Sequence, residues 1–210
     1  MSNNDKQNKE LQILRAAETE FLTKGYDGAR TSSIAKAAGV THAMLHYYFR
    51  TKEQLFERIV NDKFKLMAES MLCIFGTPSQ PLIERIRNGI CTHFDFIAAN
   101  PLLPRFVINE VITDPHRYEL LKNNISKIAQ IISDKLQKEI DEAAQRGEIA
   151  QFDCRMLFIS IASLNLFSFI AYPIIEFIHN DAAINREAFL AARKAENVET
   201  IMRRIKIQQP

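Results

Sequence analysis

The chain has 210 residues, 47% of them hydrophobic, enough to bury a core without covalent or metal support. A charged fraction of 25% with a formal net charge of +2 excludes a long basic or acidic tail, so any partner must be argued from local pattern. Cys73, Cys91 and Cys154 are odd in number and widely spaced, with no C-x-x-C pair, so neither a disulfide framework nor a zinc site is suggested and they are read as reduced thiols.

The opening residues, MSNNDKQNKE, are polar and contain no apolar run, so no secretory signal is expected and the chain is placed in the cytoplasm. Glycine and proline number only six and seven, and apolar residues recur every three or four positions. Val and Ile nowhere alternate with polar residues over a useful length, so the expected fold class is all-α with no sheet.

The first helix is expected from about Lys9 to Lys24, with Leu14, Ala17 and Phe21 on one face and Gly25 as its left-handed stop. After the turn Tyr26-Asp27-Gly28-Ala29, Thr31 is the expected N-cap of a short helix from Ser32 to Ala38, with Ile34, Ala35 and Ala38 inward, ended by Gly39. Thr41 caps a second short helix, His42 to about Phe49. There Leu45, Tyr48 and Phe49 share one face, and His42, Ala43, His46 and Tyr47 point outward. Thr51-Lys52-Glu53-Gln54 has the form of a capping box and opens a longer helix reaching Cys73 or Phe75.

Gly76-Thr77-Pro78-Ser79 punctuates the middle of the chain. Beyond it a helix from Pro81 to Ala99 carries the stripe Ile83, Ile86, Ile90, Phe94 and Ile97, and a shorter one spans about Leu103 to Ile112. A long amphipathic helix runs from His116 to Gln145, with Leu120, Leu121, Ile125, Ile128, Ile132, Leu136 and Ile140 as its apolar face. Two more are expected, Cys154 to Ile178 and Asn185 to Ile205.

The two short helices around Gly39 have the form of a helix-turn-helix. Between Gly28 and Lys52 stand Arg30, Lys36, Arg50 and Lys52, two histidines and no acid, the local charge that a phosphate backbone selects. Helix N-termini at Thr31 and Thr51 offer unpaired backbone N–H groups to phosphate oxygens. His42 and His46 can hydrogen-bond base edges or phosphates, Ala43 and Met44 can touch a thymine methyl, and the Tyr47 hydroxyl can reach a phosphate.

The run Thr31-Ser32-Ser33-Ile34-Ala35, Ala38-Gly39-Val40-Thr41 and Leu45-His46-Tyr47-Tyr48-Phe49-Arg50-Thr51-Lys52-Glu53-Gln54-Leu55 resembles the DNA-binding domain of the tetracycline-repressor (TetR) family, over about residues 9 to 58. The resemblance implies an N-terminal three-helix helix-turn-helix domain, residues 1–53 with its core at about 31–50. It also implies a C-terminal helical effector-binding and dimerisation domain, residues 54–208. It places Thr31, Tyr47 and Lys52 at phosphate-contacting positions, Ser32, Ser33 and Thr41 at the DNA surface beside them, and His42, Ala43, Met44 and His46 on the helix that reads bases. Family members often carry Tyr where this chain has His46.

The function implied is a ligand-responsive repressor that binds a near-palindromic operator in double-stranded DNA as a homodimer, its recognition helices about 34–36 Å apart. The dimer would form through the last two long helices, about 154–178 and 185–205, and the effector would be a small hydrophobic molecule. His93, Asn109, Asn165 and Tyr172 are polar residues expected on the buried side of the C-terminal helices and are candidates for effector contact. No cofactor or metal is expected.

Two other classes stay open on the residues alone. Met156 to Ile175 holds no charge and is long enough for a membrane span, although Asn165, Pro173 and three serines interrupt its apolar character. An apolar pocket could also serve an enzyme. The chain has no G-x-S-x-G, H-E-x-x-H or phosphate-loop motif, however, so no enzyme is expected.

Overall fold

A computed structural model of the chain describes residues 3–76, 80–179 and 185–206. Among these residues the chain is a succession of helices with no strand: α1 (Asn3–Gly28), α2 (Thr31–Ala37), α3 (His42–Tyr48), α4 (Lys52–Gly76), α5 (Leu82–Ala99), α6 (Leu103–Phe106), a π-helix (Val107–Ile112), α7 (Pro115–Gln145), α8 (Cys154–Ile170), α9 (Tyr172–His179) and α10 (Arg186–Ile205). The expected turn over Gly76-Thr77-Pro78-Ser79 lies for the most part outside the described residues, as does the side chain of Cys73.

Three expected elements differ. α1 starts at Asn3, before Lys9, and helical hydrogen bonding resumes after Gly25. Gly25 breaks the helix, with φ +70° and ψ 179°, a combination open only to glycine. The expected helix from Leu103 to Ile112 is α-helical only to Phe106 and then winds as a π-helix, a form that periodicity cannot separate from an α-helix over so short a run. The expected helix from Cys154 to Ile178 is broken at Ala171, and its two pieces are bent by 56°. Pro173 accounts for the break, because it has no N–H to donate and its ring would collide with the carbonyl one turn earlier.

Contacts gather in two compact units: Met1–Leu66 with Arg105–Asn124, and Met67–Pro104 with Ile125–Pro210. In the first, Ile13, Ala17, Phe21, Ile34, Leu45 and Phe56 are almost fully buried. Phe56 packs edge-on against Phe21 at 5.2 Å and tilted against Phe106 at 5.3 Å. The expected division after residue 53 falls in the first turn of α4, whose Leu55, Phe56, Ile59 and Val60 are all buried.

In the second unit α5, α8 and α10 pack on one another. The buried cluster includes Ile86 and Ile90 of α5, Leu136 and Ile140 of α7, Leu157 and Ile161 of α8, and Val198, Ile201, Met202 and Ile205 of α10. Among the described residues no single helix is long and apolar enough to cross a membrane. Only α8 and α9 together reach that length and composition, across their bend. α8 also buries Leu157, Ile161, Asn165, Ser168 and Phe169 in protein.

Candidate nucleic-acid interface

α2 and α3 are seven residues each, too short to be stable alone, so their ends and their buried residues hold them. Past α2 the Gly39 N–H donates to the Lys36 carbonyl at 3.2 Å and the Val40 N–H to the Ala35 carbonyl at 3.0 Å. That double closure needs the left-handed backbone Gly39 supplies at φ +63°. Ile34 and Ala35 are buried below the turn. The Thr41 hydroxyl then accepts from the Met44 N–H at 3.1 Å, opening α3, and Leu45 and Phe49 are buried on its inner side.

With that face fixed, His42, Ala43, His46 and Tyr47 are exposed, Tyr47 to 71%, while Met44 and Tyr48 are half-buried. The His42 and His46 rings meet edge-on at 4.4 Å. His46 Nδ1 lies 3.3 Å from the Arg50 carbonyl and, since a carbonyl can only accept, donates to it. Thr41 and Ser32 are exposed, and Thr31 and Ser33 are half-buried.

Thr31 does not cap α2 as expected. It is the first helical residue, Arg30 stands at the N-cap without a side-chain bond, and the Arg30 N–H donates to Glu20 Oε1 at 3.2 Å. The Thr31 hydroxyl lies instead 3.0 Å from His42 Nε2, tying α2 to α3. Thr51 does cap its helix, accepting from the Gln54 N–H at 3.1 Å.

Lys52 is half-buried, with Nζ 3.4 Å from the Asp27 carbonyl and 4.4 Å over the Tyr26 ring. This corner contains groups that the sequence reading missed. Arg117 grips Glu53 with Nε and Nη2 at 3.2 and 3.3 Å, donates from Nη1 to the Glu110 carbonyl at 3.2 Å, and sits over the Tyr26 ring at 4.0 Å. The Tyr26 N–H donates to Glu110 Oε2 at 2.9 Å. Burial, and then the hydrogen bond from its hydroxyl to Glu53, push the Tyr26 phenol up to about 12.

Of the four polar effector candidates the structure brings two into contact, His93 and Asn165. Asn109 is exposed, not on a buried side, and lies on the π-helix of the first unit. In the second unit the Asn165 amide donates to the Ile90 carbonyl at 3.0 Å and to His93 Nδ1 at 3.1 Å, and its oxygen accepts from Asn197 at 2.9 Å. Arg193 closes the chain on Asn197 at 2.7 Å. Tyr172 is half-buried, 5.6 Å from the Phe189 ring, with Arg186 over it at 5.2 Å.

Because Asn165 donates to it, His93 Nδ1 is an acceptor and the ring is the neutral Nε2–H form; burial pushes its pKa down to about 4. An unfolded histidine titrates near 6.5, so the unfolded chain binds the extra proton first. Stability from this residue is full above about pH 6.5 and is lost as pH falls toward 4, by roughly 3 kcal/mol in all. Urea unfolding from pH 7 to 4 is expected to show this loss in the wild type beyond that in His93→Gln, which keeps an acceptor and cannot titrate. Identical pH profiles would refute the assignment.

A short helix, a left-handed turn and a second, Thr41-capped helix with an exposed outer face define a helix-turn-helix. Residues 13–59 match the family described as bacterial regulatory proteins, tetR family. An uncharacterized HTH-type transcriptional regulator of Bacillus subtilis is 31% identical over 88 residues, which are 40% of this chain and 45% of the relative. The chain thus spans under half the length of that relative. The fatty acid metabolism regulator protein of the same organism is 26% identical over 146 residues, 70% of this chain and 73% of that one.

Solved structures agree in fold. A fatty acid metabolism regulator of Clostridium perfringens superposes with a TM-score of 0.67 at 21% identity, over 94% of this chain and 100% of the other. The transcriptional regulator FadR of Bacillus subtilis, in complex with stearoyl-CoA, does so at 0.63 and 23%, over 93% and 99%.

Proposed function

We propose that this chain is a DNA-binding transcriptional repressor that binds a near-palindromic operator as a homodimer and is released by a small hydrophobic effector. The observation that carries the reading is α3 itself: Leu45 and Phe49 anchor one side while His42, Ala43, His46 and Tyr47 are exposed on the other. His42, Ala43, Met44 and His46 would meet base edges. Thr31, Ser32, Ser33, Thr41, Tyr47 and Lys52 would meet the backbone. The 1–53 segment would then serve DNA, and 54–208 the effector and the partner subunit.

The partner would seat on the helices at 154–178 and 185–205. Met156, Ile159, Phe167 and Ile170 of α8 are exposed apolar residues at three- and four-residue spacing or its multiple, and a twin subunit would cover such a stripe. The effector would be taken by the second unit, where His93, Asn165 and Tyr172 are the polar candidates. Two relatives named for fatty acid metabolism, and a similar fold solved with stearoyl-CoA, favour an effector bearing a long acyl chain.

Selection of bound duplexes from a random DNA pool tests the reading. A palindromic motif with half-sites about one helical turn apart is the expected result. No enrichment at moderate salt would overturn it.

A further inference from the structure

Arg117 lies far along the chain from α3, yet its side chain is only 12% exposed and its strongest grip ends on the residue next to Lys52. Its forked bond holds Glu53, the residue next to Lys52 in the first turn of α4. Glu53 also accepts the Tyr26 hydroxyl, and the Tyr26 backbone is pinned by Glu110, whose carbonyl Arg117 holds as well. Asp114 stands 3.9 Å from the same guanidinium, and Phe56 lies beneath it at 4.5 Å. The ring so fixed is the one on which the Lys52 ammonium rests.

We propose that Arg117 is a positioning residue for DNA binding: by clamping Glu53 and Tyr26 it sets where the Lys52 ammonium stands. This rests on the reading that Lys52 contacts phosphate. A lysine is a flexible point charge that loses much rotamer freedom on binding. Held over the Tyr26 ring with one N–H toward the Asp27 carbonyl, Lys52 has already lost that freedom and keeps two donors for phosphate oxygens. An arginine is needed at 117, because a lysine cannot reproduce the forked bond to Glu53.

The test is operator affinity against salt for wild type, Lys52→Ala, Arg117→Ala, Arg117→Lys and the Lys52→Ala/Arg117→Ala pair, with thermal melting of each. Lys52→Ala is expected to weaken binding about tenfold and to lower the salt slope by about one per subunit. Arg117→Ala and Arg117→Lys should reproduce both effects, and the pair should bind no worse than either single variant. Independent losses, with Lys52→Ala costing its full tenfold in the Arg117→Ala background, would overturn the proposal. Should Arg117→Ala fail to fold, Glu53→Gln carries the same cycle, since it keeps an acceptor for Tyr26 but weakens the fork. A wild type that binds no duplex would refute the DNA reading itself, and that is seen before any variant is made.

Discussion

Glu139→Ala is expected to destabilise the second unit by about 3 kcal/mol, more than most single substitutions cost. Arg85 of α5 is only 3% exposed, and its two terminal nitrogens meet the Glu139 carboxylate of α7, Nη1 at 3.4 Å and Nη2 closer; Nη1 also donates to the Phe75 carbonyl at 3.3 Å. Its Nε has no hydrogen-bond partner among the described residues, and burial holds the guanidinium below its ordinary pKa. Without Glu139 a buried cation keeps one backbone oxygen and, among the described residues, no carboxylate to balance its charge, and at pH 7 it cannot neutralise itself by giving up its proton. The estimate sits at the low end of the range for broken buried pairs because Glu139 is 24% exposed, so water can partly replace it. Replacing both partners with apolar residues, as in Arg85→Met/Glu139→Leu, should restore much of the loss, since the desolvation of both ions then disappears. Urea unfolding of the two variants decides it. A double variant as unstable as Glu139→Ala would mean that the pair contributes net stability beyond avoiding an orphaned charge.

How far the sequence carried depends on how local the physics is. α2, its turn and α3 were legible because everything that fixes them lies within a few residues: the left-handed Gly39, the Thr41 hydroxyl, and Ile34, Ala35 and Leu45 at helical spacing. The exposed side of α3 followed directly. Thr31 was misplaced because local preference made it a cap, whereas the bond from Arg30 to Glu20 and that between Thr31 and His42 span about ten residues each. Arg117 was illegible for the same reason carried further: nothing near it in sequence distinguishes it from a solvated arginine, and its partners Glu53 and Tyr26 belong to other helices. The bend at Ala171 was open to the sequence, since Pro173 was read as weakening a membrane span and not as the end of a helix. Asn165 was recognised as buried and polar, but its bonds to Ile90, His93 and Asn197 come from two other helices. Sequence could name the residue and could not show that its amide is fully engaged.

Ala43→Glu is expected to abolish operator binding, by about 100-fold or more, while leaving the fold intact or slightly firmer. The two effects have opposite signs for a reason. Ala43 is an exposed residue in the first turn of α3, where a carboxylate faces the positive end of the helix and normally stabilises it. Yet neither α2 nor α3 carries an acid in its first turn, and there is none between Gly28 and Lys52. Stability alone would favour an acid at one of these positions, so their absence points to a constraint from outside the fold. DNA supplies one: a carboxylate at Ala43 would face a groove walled by phosphates, lose its water, and meet like charge at close range, which costs several kcal/mol. Melting temperature and operator affinity measured on the same protein separate the two terms. Loss of binding together with a lowered melting temperature would mean that the substitution had unfolded α3. Retained binding would place the DNA on some other face of the unit.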